Sequence, residues 1–178
     1  MSDPSLPALP AAPRKRKPVP RKRKPAAESA ADAASIETPV LSAETPLQLI
    51  RVSMPVRWRD LDSFNHVNNS TYLSYLEEAR LQWMLTLPGQ GMDEHVAPVV
   101  AAAQLNYRRP IEWPNEVAIE LFVERLGNTS VSIGHRIVAA DDSDVLYCDG
   151  HVVLVWIDRD SGRAASLPDA VREACAPA

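Results

Sequence analysis

The stretch Arg59-Asp60-Leu61-Asp62-Ser63-Phe64-Asn65-His66-Val67-Asn68-Asn69-Ser70-Thr71-Tyr72, continued by Leu76-Glu77-Glu78-Ala79-Arg80, gathers two carboxylates, an imidazole and three amides just upstream of a helical pattern. Loops at element ends are where function concentrates, because a rigid scaffold positions them. These residue types suit acyl transfer to water. A helix N-terminus presents unpaired backbone N–H groups and a partial positive charge, which stabilise the oxyanion formed when a carbonyl is attacked. A carboxylate shortly before that terminus, Asp62, is placed to activate water or to attack the carbonyl itself. Each residue also has a plainer reading. An Asp in a strand-to-helix loop is commonly a turn former, and Asp60 is read that way, bonding loop amides. His66 either positions substrate or only completes a hydrogen bond. Asn68 and Asn69 serve as helix caps, as ligand contacts, or as both. Tyr72, Tyr75, Trp83 and Met84 belong to the core or to the lining of an acyl pocket, and Glu78 and Arg80 read as a surface or subunit-interface pair.

The elements that must hold this loop follow from periodicity. Before it, Val52, Met54, Val56 and Trp58 alternate with Arg51, Ser53, Arg57 and Arg59, the pattern of a half-buried strand, and Pro55 points to a sheet edge. After it, Tyr72, Leu73, Leu76, Ala79, Trp83, Met84 and Leu87 recur at helical spacing, with Asn68 or Asn69 as N-cap and Pro88-Gly89 as the stop. This predicts a helix of about 18 residues, the one long helix of the folded part, with an apolar stripe wide enough to lie against a sheet. Four more strands are predicted: residues 98–109, the alternation through Val117, Ile119, Leu121 and Val123, a third carrying Val131, Ile133, His135 and Ile137 after the Gly127-Asn128 turn, and a last from Val145 to Ile157. A short C-terminal helix covers Asp169 to Cys175. Strand, helix, then four strands able to form an antiparallel meander make an α+β layer, with the sheet wrapped around the helix.

Composition divides the 178-residue chain. Residues 1–47 hold nine of the 16 prolines, eight basic and five acidic residues, a net +3, so the rest carries −7 of the overall −4. The tail includes a repeat, Pro13-Arg14-Lys15-Arg16-Lys17-Pro18 and Pro20-Arg21-Lys22-Arg23-Lys24-Pro25, set in Ala and Pro with almost no large apolar side chains. Such a segment buries too little surface to offset its ordering entropy, so a disordered tail over 1–47 and one folded domain over 48–178 are expected. The basic blocks can contact polyanions by counterion release, but without interleaved aromatics they offer no sequence-specific reading of nucleic acid. Cys148 and Cys175 are read as reduced thiols rather than a disulfide framework. With no apolar run long enough to span a bilayer, a cytoplasmic protein is expected.

The same motif carries a resemblance. Asp-Leu-Asp-x-x-x-His-Val-Asn-Asn-x-x-Tyr before a helix with Glu-x-Ala-Arg resembles the hot-dog-fold acyl-CoA thioesterases: the 4-hydroxybenzoyl-CoA thioesterase and Tol-Pal-associated bacterial group, and also the plant acyl-carrier-protein thioesterases. It extends over residues 49–157. It implies a hot-dog fold, five antiparallel strands around a central helix, with Asp62 as the catalytic carboxylate and a backbone N–H near Asn69 as oxyanion donor. By the plant pattern it also assigns a role to His66 and puts a further carboxylate where this chain has Asn106. Phe64 replaces an Asn of that pattern, so Asp62 is expected to work with fewer helpers, as in the bacterial type. Asn68, Asn106 and Tyr72 are then candidate substrate contacts. Arg108, Arg109 and Arg125 are candidate phosphate ligands by charge alone.

Other chemistries find less support. His66, His95, His135 and His151 lack metal-site spacing, no Gly-x-Ser-x-Gly elbow occurs, and no Gly-rich phosphate loop appears, so neither metal nor cofactor is expected. Two alternatives stay open: a hydratase on the same fold, whose Asp-x-Asn-Pro-x-His pattern fits loosely, and a non-catalytic acyl-CoA-binding or assembly protein. A lone hot-dog unit leaves a sheet edge unpaired and half a pocket, so a homodimer or homotetramer acting on an acyl-CoA is the expectation.

Overall fold

The computed structural model describes residues 46–176, so nearly all of the basic tail lies outside the described residues. Strand β1 (Gln48–Pro55) runs into a 3-10 turn at Trp58–Asp60, and the motif loop leads to helix α1 (Asn69–Leu85). A second turn at Pro88–Gly91 precedes β2 (Val96–Tyr107), β3 (Glu116–Leu126), β4 (Ser130–Ala139), β5 (Leu146–Asp158) and helix α2 (Asp169–Cys175). The five strands form one antiparallel sheet in the order β1-β3-β4-β5-β2.

Only β3, β4 and β5 form the expected meander; β2 pairs with β5, not with β3. The reason is the connection. Arg108–Asn115 carries Pro110 and Pro114 and offers no tight turn, so β2 is free to seek another edge, and the 13-residue β5 supplies it. Among the described residues the sheet therefore has two open edges, β1 and β2, rather than the one expected. Pro55 sits on the β1 edge, where a missing N–H breaks no ladder bond.

Alternation explains the core. Val52 and Met54 of β1, Val117, Ile119 and Leu121 of β3, Val131, Ile133 and Ile137 of β4, and Val152, Leu154 and Trp156 of β5 are buried on one face of the sheet. Against them α1 packs Tyr72, Leu76, Ala79 and Trp83, spaced at helical intervals. The indole Nε1–H of Trp156 donates to the Gly91 carbonyl at 2.7 Å, which fixes the turn after α1 to the sheet. Val171 and Cys175 of α2 close the same core.

Two readings of side-chain direction change. Trp58 does not continue the β1 alternation: the strand ends at Pro55 and Trp58, in the following turn, is 71% exposed. Glu78 and Arg80 do not pair, because residues two apart on a helix do not share a face. Glu78 instead accepts from Gln82 at 3.0 Å, while Arg80 is half-buried, and burial lowers its guanidinium pKa against the opposing pull of Glu77.

Candidate active site

The loop between β1 and α1 is built on Asp60. This carboxylate is 4% exposed and accepts from the Arg57 amide (2.9 Å), the Arg57 guanidinium (3.1 Å) and the Tyr75 hydroxyl (2.7 Å). Burial raises its pKa, but the Tyr75 and Arg57 bonds outweigh burial and hold it below the usual carboxylate range. Its carbonyl accepts from the Asn68 amide at 2.8 Å, tying the start of the loop to the start of the helix.

Asp62 sits where this frame turns back on itself. Its amide donates to the His66 carbonyl at 2.7 Å, and its Oδ1 accepts from the amides of Phe64 (2.8 Å) and His66 (3.3 Å). Asn65, at the tip, takes the left-handed conformation (φ 62°) that Asn tolerates better than most residues. Among the described residues nothing donates to Oδ2 of Asp62. Val67 donates to the Ile111 carbonyl at 2.8 Å, and His66 forms an isolated bridge with Glu112, so the far side of the loop is sewn to the link between β2 and β3.

Asn68 caps α1: its side-chain oxygen accepts from the Ser70 amide (3.0 Å) and hydroxyl (2.7 Å), and its carbonyl takes the Thr71 amide (2.8 Å). Asn69 is the first helical residue, and among the described residues no group accepts from its N–H. Its carbonyl accepts from the Tyr107 hydroxyl at 3.1 Å, and Tyr107 meets Tyr72 edge to face with ring centroids 5.0 Å apart. Burial pushes the Tyr72 hydroxyl up to about 12, so it stays a neutral donor.

These residues enclose a cleft of about 270 Å³ lined by Asp62, His66, Asn69, Tyr72, Arg108 and Arg109, together with Val67, Tyr107 and Pro110. Six of the expected site residues thus meet in one place. Asn68 does not line the cleft and acts on it through the cap. Asn106 stands apart: its amide donates to Asp149 at 2.8 Å and it lines a different depression, with Gln104 and His151. Arg108 forms two bonds to the same Asp149 (2.9 and 3.0 Å), which raise its pKa, whereas the Arg109 guanidinium has no acceptor among the described residues. Arg125, on β3 opposite Ser132, does not line the cleft.

Two participants went unnoticed in the sequence. Tyr107 was legible only as a neighbour of Asn106. Glu112, 3.8 Å from Nε2 of His66, had no signal at all in the linear pattern. It supplies a carboxylate beside the histidine from a direction other than Asn106. Among the described residues no grouping of three or more His, Cys, Asp or Glu is arranged to hold a metal ion.

A five-stranded antiparallel sheet laid on one long helix, with a carboxylate loop opening that helix, is the hot-dog arrangement of thioester hydrolases. Residues 56–175 match the Thioesterase-like superfamily, and the chain belongs to that family. It is 29% identical over 133 residues to the long-chain acyl-CoA thioesterase FadM of Escherichia coli (strain K12), covering 70% of this chain and 95% of that protein. Among solved structures, a Xanthomonas campestris protein proposed as an acyl-CoA thioesterase (XC229) is 59% identical, with 65% of this chain and 98% of that chain covered at a TM-score of 0.59. A thioesterase of Thermus thermophilus, solved with coenzyme A and zinc, is 36% identical, with 72% and 92% covered at a TM-score of 0.61.

Proposed function

We propose that the protein hydrolyses an acyl-CoA to free acid and coenzyme A, with Asp62 as the carboxylate that acts on the thioester carbonyl. The observation that carries this reading is the pairing, across one cleft, of the Asp62 carboxylate with the unpartnered N–H at the first residue of α1. As the carbonyl is attacked, negative charge grows on its oxygen, and the N-terminus of α1 offers a fixed donor and a positive dipole end to receive it. Oδ1 is held by two loop amides, so Oδ2 is the atom left to take a proton from water or to bond the carbonyl carbon directly. In the first route, water adds to the carbonyl and the thiol leaves with a proton. In the second, the carboxylate adds to the carbonyl carbon, the thiolate leaves as an acyl-aspartyl anhydride forms, and water then opens that anhydride to free acid and the restored carboxylate. His66, whose backbone bridges to Glu112, is the side chain set to position the thioester. Arg109, with Arg108 beside it, is the cation that the phosphates of coenzyme A would meet.

Catalysis belongs to residues 48–178 in this reading, with 1–47 as an appended basic tail. The functional unit is an oligomer, at least a dimer, because β2 is an open edge whose Val99 and Val100 are 40% and 52% exposed. The test is thiol release from a panel of short, long and aromatic acyl-CoAs, with an enoyl-CoA included to detect hydration. Release of free coenzyme A from saturated substrates is expected. Binding of acyl-CoA without release would favour the assembly reading, and water addition to the enoyl group would favour the hydratase.

A further inference from the structure

Asp62 borders two depressions, not one. On one side lies the cleft with Arg108 and Arg109; on the other, a second hollow of about 320 Å³ is lined by Trp58, Leu61, Asp62, Ser63 and Asn65. Trp58 is the aromatic side of the second hollow, and Trp113 extends it by packing against Trp58. Trp58 meets Trp113 edge to face, with centroids 5.6 Å apart and planes at 83°, yet the two rings are 71% and 44% exposed. Phe64, in the loop that holds Asp62, is 78% exposed. Grouped large aromatics on a surface mark a place where something apolar binds.

The wall is also pre-formed. Trp58 opens the turn anchored by buried Asp60, and Trp113 follows Glu112, whose backbone bridges to His66. An acyl group cannot run inward from Asp62 within this chain, since Val67, Tyr72, Tyr75 and Ile111 beneath the loop are at most 3% exposed and close-packed. It must follow the surface to one side or the other. The arginine side suits the anionic carrier, and the tryptophan side suits a hydrocarbon.

We propose that the Trp58–Trp113 wall is the acyl-group subsite, so that a bound thioester straddles Asp62 with coenzyme A over Arg108 and Arg109 and its acyl chain or aromatic ring against the two indoles. The assignment rests on the thioesterase reading above and adds the direction in which the substrate lies. Selectivity for acyl length is then set by Trp58 and Trp113, whereas Arg109 acts on every acyl-CoA alike.

The experiment is kcat/KM for acetyl-, hexanoyl-, dodecanoyl- and benzoyl-CoA with the full chain and with Trp58→Ala, Trp58→Phe, Trp113→Ala and Arg109→Ala. Truncating either indole is expected to lower the ratio of kcat/KM for dodecanoyl-CoA over acetyl-CoA by about tenfold, the usual effect of removing a central aromatic contact. Trp58→Phe restores most of that ratio, and Arg109→Ala leaves it unchanged while weakening inhibition by free coenzyme A. An unchanged ratio in both alanine variants overturns the subsite, as does a uniform loss accompanied by a fall in oligomer mass on light scattering, which would make the wall a subunit contact. A wild-type chain that cleaves no acyl-CoA overturns the thioesterase reading itself.

Discussion

Asp62 and Asn69 come from one short loop, and that is why their meeting could be anticipated from residue types alone. Asn68 decides how well the second of them is aimed, because its side chain fixes the amide of Ser70 and its carbonyl fixes that of Thr71. Replacing Asn68 with Ala is expected to cost about 1 kcal/mol of stability in chemical denaturation, a typical loss for a cap. The same change should lower kcat more than it raises KM, since a loosened N-terminus weakens oxyanion binding more than ground-state binding. A stability loss with unaltered kcat would detach the helix start from the chemistry. Asn106 shows where residue-level reading stopped. Adjacent strand residues point to opposite faces, so Asn106 turns to Asp149 while Tyr107 turns to Asn69, and only the pairing of β2 with β5 reveals which of the two enters the cleft. Glu112 lies in a link without periodicity, and nothing but its bridge to His66 marks it.

At the level of elements, periods of two and of 3.6 in the apolar residues were enough to place β1, β3, β4 and α1 within a few residues, because each has one buried face, whereas β2 was read from its apolar run and no row of its side chains is buried. Their order in the sheet was not legible, since the link after β2 carries no turn chemistry that would fix its partner. β4 also carries a polar residue in its apolar row. His135 is 1% exposed, and neither ring nitrogen has a partner among the described residues. It packs close to Gly150 of β5, where a Cβ would collide with the Gln104 carbonyl and lie 3.0 Å from Nε2. Burial first, then the charges of Arg80 and His151, lower its pKa from 6.5 to about 4 against a small opposing effect of Asp149. The folded chain therefore refuses a proton that the unfolded chain accepts. The stability held by neutral His135 is complete above pH 6.5 and falls as pH drops towards about 4. Unfolding free energy should decline more steeply between about pH 7 and about pH 5 in the wild type than in His135→Gln. Equal slopes would mean that His135 is not neutral in the fold.

At the scale of the whole chain, apolar surface stays exposed among the described residues. Val99 and Val100 lie on the open β2 edge, and Leu73, Leu81 and Leu85 are 44%, 50% and 56% exposed on the outer side of α1. An uncovered strand edge of this kind invites pairing with another copy. Light scattering is expected to give a mass at least twice that of one chain, and Val100→Lys, which places a charge on the edge, is expected to lower that mass and the turnover together. A fully active monomer would remove the need for a partner. Composition separates a basic segment over residues 1–47 from an acidic remainder, but it carries no sign of two open sheet edges among the described residues, because edges depend on strand order.

The central claim is that a single negative charge at residue 62 drives the attack on the thioester, through water or directly, and it is tested most directly by Asp62→Asn. This change keeps an oxygen for the amides of Phe64 and His66 while removing the charge. Thiol release from a good acyl-CoA should fall at least about 100-fold in kcat, with an unchanged unfolding transition. Turnover close to that of the wild type, in a variant that folds normally, would contradict the account.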